Sequence, residues 1–198
     1  PRRSPEKGRM KTATDLLTAA QGARLRADAP AKKFLPDLML TSAARLLLAR
    51  EERLGEFAQY VLTHRQRLDA RTLHVLQRDI REAPGQFAWR HPDDEPLPPP
   101  PAAMRLLLDL TVGDTPDRAF PDPEDWLVLA AFRYCLGRQT YVSGYCAVWL
   151  EAIWGALAED TRETITRETR AAIEAGTAGN PNIDVPYWQA LLNRTAAA

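Results

Sequence analysis

The sequence predicts an all-α protein: two related small helical bundles, an internal duplication, joined by a proline-rich linker. Three observations predict it. Apolar residues recur at helical spacing in segment after segment, and nowhere do they alternate for long enough to build a sheet. Four consecutive prolines, Pro98 to Pro101, follow an acidic cluster near the middle of the chain. Shifted by 89 residues, the chain matches itself without a gap.

The elements follow in order. Residues 1–10, "PRRSPEKGRM", are polar with two prolines and read as a disordered or non-native tail. An N-terminal unit is expected over 11–87. Its first helix runs from Lys11 to about Arg26, and "DAPAKKF" breaks it. A strong stripe through Leu35, Leu38, Met39, Ser42, Ala43, Leu46 and Leu47 gives the next, and Phe57, Tyr60, Val61 and Leu62 another. Asp69 is placed as the N-cap of a helix with Leu73, Leu76 and Ile80 inward, ended by Pro84-Gly85. Residues 88–121 form a Pro/Asp-rich linker, stiffened as polyproline, with a short helix near "MRLLLDL".

The C-terminal unit is expected over 122–194. Asp122 or Asp125 caps a helix that reaches Leu136, and Gly137 stops it in a left-handed conformation. Thr140 or Ser143 starts a second helix, continuing to Ala156. Asp160 caps a third, closed by Gly176. Asp184 caps a last one, with Trp188, Leu191 and Leu192 inward.

The repeat equates Leu38, Leu40, Leu47, Gly55, Ala58, Leu68, Thr72, Arg78, Arg81 and Ala83 with identical residues 89 positions on, 10 matches in 46 positions. Amphipathic spacing alone forces some apolar matches. Thr72, Arg78 and Gly55 are not core-patterned, so their matches carry more weight.

Composition is that of a globular chain, 45% hydrophobic and 26% charged, with no run near the ~20 apolar residues of a membrane helix. No signal-peptide pattern opens it, so the cytoplasm is the expected setting. Cys135 and Cys146 are read as reduced core residues. His64, His74 and His91 show no metal-ligand spacing; neither a metal nor a cofactor is expected. The net charge of zero hides an asymmetry of +8 through His91 and −8 beyond it, with +6 in the first 33 residues alone. A solvated tail or an anionic partner would each explain the basic excess.

One stretch, "FRYCLGRQTYVSGYCAVWL", separates the copies. Arg133-Tyr134 stands opposite Ala44-Arg45, Gly137-Arg138 opposite Leu48-Ala49, and Thr140-Tyr141 opposite Glu51-Glu52. A helix start at Thr140, with Arg138 and Arg133 beside it, would make a site for a phosphate, a carboxylate or a partner from Arg133, Arg138, Thr140 and Tyr141. The structural alternative pairs Arg133 with Glu168 or Asp160 and packs Tyr134 and Tyr141 at the core edge.

"RYCLGRQTY", then "VSGYCAVWL", "LAEDTRETITRETRAAIEAG" and a closing "YWQALL" resemble a family of small helical proteins encoded by bacteriophages and prophages. Such proteins carry an RYxLGRxTY-like core, a later Arg-Asp pair and a closing Trp-x-x-Leu-Leu. The resemblance covers about 124–192 and departs at Arg167-Glu168 and at Cys135. It implies a mobile-element origin and a compact helical unit, and supplies no reaction.

Enzyme signatures are absent from the sequence: no Walker loop, GxSxG or HExxH, and no catalytic residues are assigned. Glu159, Asp160, Glu163 and Glu168 read as a solvated face paired with Arg162, Arg167 and Arg170 at i,i+3/i+4, rather than as a cation site. The expected function is a non-catalytic interaction module that binds a bacterial host protein or protein–nucleic-acid complex. One version inhibits a defence protein by imitating phosphate charge. The alternative is a nucleic-acid-binding accessory protein using Arg65, Arg67, Arg71, Arg78 and Arg81, diluted by Asp69, Asp79 and Glu82.

Overall fold

Asp69 shows local chemistry fixing a helix start: its backbone is extended and its Oδ1 accepts from Thr72 N–H at 2.5 Å, an N-cap as expected. The computed structural model describes residues 37–83, 99–111, 124–138 and 141–196. The tail, the helix expected over 11–26, Leu35, Pro84-Gly85, most of the linker, Asp122 and Thr140 lie outside them. The fold is all-α; among the described residues there is no strand.

The helices are α1 (Asp37–Arg50), α2 (Leu54–Thr63), α3 (Ala70–Glu82), α4 (Asp125–Leu136), α5 (Tyr141–Ile153), α6 (Glu159–Thr177) and α7 (Val185–Thr195). Short 3₁₀ helices occupy Arg65–Arg67, Ala102–Leu107 and Trp154–Ala156. The chain divides into two compact units at Tyr134/Cys135, so nearly all of α4 counts with the N-terminal helices. The boundary drawn from sequence, at 122, lies just before that helix.

In the unit spanning Phe34–Tyr134, α1 packs on α3, and Ala102–Leu107 lies against α2 and α3. Met39, Leu47, Phe57, Leu76, Ile80, Met104, Leu107, Leu127 and Phe132 fill the core. Gln77 Nε2 donates to the carbonyls of Leu107, Leu108 and Leu110 at 2.9–3.1 Å, which fixes the 3₁₀ segment on α3. Asp79 is 1% exposed, and Arg45 Nε reaches its Oδ2 at 2.7 Å. Arg78 donates to its other oxygen at 3.0 Å. Arg45 also hydrogen-bonds Tyr134, its own counterpart under the 89-residue shift. Burial works against the Arg45 charge, but Asp79 outweighs it and holds the guanidinium above its ordinary pKa.

In the other unit, α7 packs on α5 and α6 through Trp188, Ala190 and Leu191. Gly144 gives α7 room: a Cβ there would lie 2.6 Å from the Tyr187 ring. Gly176, expected to close α6, sits inside it, where a Cβ would come within 2.5 Å of Val185 Cγ2. Gly179, at φ +104°, makes the turn instead. Asn180 N–H donates to Ala175 C=O and Gly179 N–H to Gly176 C=O, each at 3.0 Å, a Schellman ending.

Three further starts and stops differ from expectation. Gly137 does not have the left-handed backbone; the chain leaves α4 through an Arg138 N–H to Cys135 C=O bond of 3.2 Å. Ser143 does not start α5, which begins at Tyr141; buried within that helix, its hydroxyl donates to the carbonyls of Cys135 and Arg138. Asp160 is the second residue of α6, after an Ala158 N-cap with no side-chain bond, and its carboxylate accepts from Thr161 N–H at 2.8 Å. Asp184 stands at the N-cap of α7 with no side-chain cap bond.

The 89-residue shift carries Arg65–Arg67 onto Trp154–Ala156 and the first residue of α3 onto the first of α6. It also matches backbone angles at the joins: Leu68 (φ −83°, ψ 135°) with Leu157 (−80°, 150°), and Asp69 (−78°, 158°) with Ala158 (−61°, 152°). Thr72 and Thr161 are equally buried, as are Leu76 and Ile165. The correspondence reaches a fourth element: Ala102–Leu107 covers α2 and α3 as α7 covers α5 and α6.

The matched positions also give opposite expectations. A Cβ at Gly55, the counterpart of Gly144, would meet nothing within 4 Å. Gly55→Ala is expected to raise stability by ~0.5 kcal/mol through helix propensity. Gly144→Ala should lower it by about 1–3 kcal/mol through overpacking. Paired thermal melts check the signs. Thr169 and its counterpart Ile80 are both fully buried, and the Thr169 hydroxyl has no hydrogen-bond partner among the described residues. Thr169→Val is expected to stabilise by ~1 kcal/mol, read as a rise in melting temperature of about 2–4 °C.

Candidate functional site

Arg65, Arg71, His74, Arg78 and Arg81 are exposed, and four of them share one face of α3 at i, i+3, i+7 and i+10. They do not carry equal free charge. Arg78 is tied to Asp79 and lies 3.9 Å from Glu82. Arg65, Arg71 and Arg81 have no ion-pair partner among the described residues. Two of the three acids expected to dilute this field are engaged elsewhere, Asp79 buried under Arg45 and Asp69 capping the helix, while Glu82 stays exposed beside Arg78. Burial pushes the Asp69 carboxyl up, but the Thr72 N–H and a hydrogen bond with Asp37 hold it below its usual value. Arg67 is half-buried beside Tyr60 and His64, whose rings meet edge to face at 4.7 Å. Burial pushes the Tyr60 hydroxyl up to about 12, with Arg67 opposing; burial and then Arg67 hold His64 below its ordinary value.

The matching helix of the second unit has a different outer face. Along α6, Glu159, Arg162, Glu163, Thr166, Arg167, Arg170, Ala171 and Glu174, together with Trp154 and Thr195 from outside that helix, line an open groove of about 730 Å³. Among the described residues, no i,i+3/i+4 ion pair joins Glu159 or Glu163 to Arg162, Arg167 or Arg170. Glu159, Arg162, Glu163, Arg170 and Glu174 enter no ion pair among the described residues, and Arg167 donates to Thr164 at 3.5 Å. The sequence carries the stripe but not the groove, because Trp154 and Thr195 reach it from other elements. Among the described residues, no three His, Cys, Asp or Glu side chains gather as a metal site.

The residues singled out between α4 and α5 are placed as follows. Arg133 lies half-buried in the last turn of α4, and Arg138 is exposed just beyond that helix. Both already interact with other groups. Tyr141 is the first residue of α5; its side chain, like Thr140, lies outside the described residues. The helix join is held by Ser143, whose role the sequence did not reveal.

Cys135 and Cys146 are buried and free, and their thiols hydrogen-bond to each other. Burial, with Cys135 adding, pushes the Cys146 thiol up. No described helix is long and apolar enough to cross a membrane. Comparison with family models, curated proteins and solved structures finds no match to this chain.

Proposed function

We propose that the chain is a non-catalytic protein-interaction module that docks a partner protein along α6. The observation that carries this reading is the groove lined by three carboxylates and three guanidiniums, none of which enters an ion pair among the described residues. Unpaired charges of both signs around a concave surface favour a partner of complementary pattern, and they give specificity and on-rate more than raw affinity. In the phage setting that the resemblance implies, the partner is a bacterial host protein, bound and inhibited in the cytoplasm. The matched four-element plan supports a duplication whose copies have diverged on their outer faces.

The test is capture from bacterial lysate at moderate salt, with the wild-type chain and a Glu163→Arg/Arg170→Glu double variant. The reading expects one stoichiometric protein on the wild type and its loss on the variant. Capture that survives the reversal, or no capture at all, refutes it.

A further inference from the structure

The basic face of α3 is best understood against its own counterpart. Under the 89-residue shift, Arg65 stands where the second copy has Trp154, Arg67 where it has Ala156, Arg71 where it has Asp160, and His74 where it has Glu163. Arg78 and Arg81 match Arg167 and Arg170. At Arg65, Arg67, Arg71 and His74 the departure removes an acid or adds a base, and Glu82, opposite Ala171, runs the other way. The fold does not require the additions: Arg65 and Arg71 are exposed and enter no ion pair among the described residues, whereas Arg78, which both copies keep, holds Asp79 together with Arg45.

We propose that the α3 face, through Arg65, Arg71 and Arg81, binds the phosphodiester backbone of duplex nucleic acid without reading sequence. Charge complementarity names the occupant. From Arg71 to Arg81 the helix rises about 15 Å, enough to span several phosphates on one strand. The face lacks the exposed aromatic rings on which single-stranded bases stack, since Tyr60 is half-buried against His64 and the exposed positions of α3 are Arg, His, Ala and Glu. On α3 itself Gln77 is committed to the carbonyls of Leu107, Leu108 and Leu110; the exposed amide at this surface is Gln66, beside Arg65 and outside that helix. The groove on α6 has no part in this surface.

The experiment is fluorescence anisotropy of a labelled DNA duplex of about 20 base pairs, titrated with the full chain across about 50–200 mM KCl. Three phosphate contacts give a slope of log K against log salt near −3, so affinity falls about 40-fold across that range. Arg65→Ala/Arg71→Ala/Arg81→Ala, with thermal unfolding unchanged, should abolish most of the binding and flatten the slope by about one unit per arginine. Glu163→Arg/Arg170→Glu should leave it unchanged, which separates failure here from failure of the groove reading. Binding untouched by the triple variant would move the contact to the basic first 33 residues and overturn the proposal. Polyglutamate competing as well as duplex at equal charge would also overturn it, assigning the face to an acidic protein.

Discussion

Asp79→Ala is expected to destabilise the protein by about 3 kcal/mol, a fall in melting temperature of roughly 6–12 °C. The carboxylate is 1% exposed and answers two guanidiniums, Arg45 at 2.7 Å and Arg78 at 3.0 Å. Removing one partner of a buried pair leaves the other charge without compensation, which is worse than removing both. Arg45 remains 28% exposed and can turn partly to water, so the loss falls at the lower end of the range for buried pairs. Arg45→Leu/Asp79→Leu should recover part of the loss, and the double-mutant cycle gives the coupling directly. A single-variant loss below about 1 kcal/mol would show that the cluster is surface decoration.

Gly176→Ala is expected to cost about 2–3 kcal/mol. The new methyl would sit 2.5 Å from Val185 Cγ2 and 3.0 Å from both Ile183 Cβ and its Cγ2. Ile183 Cβ is not a flexible side-chain end, so the approach to α7 must shift bodily. Trp188, fully buried where α7 docks, should report this as a red shift of its emission together with the lowered melting point. Gly137→Ala is the control: nothing lies within 4 Å of a Cβ there and its backbone is not left-handed, so it should be neutral. Equal losses at both positions would refute the packing argument.

What could be seen in the sequence was local. Asp69 and its cap were legible because donor and acceptor lie three residues apart. The helical stripes through Met39, Phe57, Leu76 and Trp188 were legible because burial follows the helical period. The 89-residue shift read from the sequence also relates the two 3₁₀ turns Arg65–Arg67 and Trp154–Ala156, which the sequence itself did not reveal. What escaped depends on distant partners. Gly176 looks like a helix stop until Ile183 and Val185 are brought against it. Asp79 looks like a surface acid diluting a basic face until Arg45, 34 residues away, covers it. On α6 the spacing offers ion pairs, but the side chains border a groove that Trp154 and Thr195 also line from outside that helix. Asp160 was read as a cap from residue type alone, whereas the start of α6 follows a 3₁₀ turn and an alanine.

The sealed thiols of Cys135 and Cys146 turn the molecule into its own clock. An alkylating reagent finds neither sulfur while the core around them stays closed, so the speed of modification counts how often that core opens. Ranking variants therefore needs no heating: whichever substitution loosens the second unit should hasten the labelling, and whichever tightens it should slow the hand.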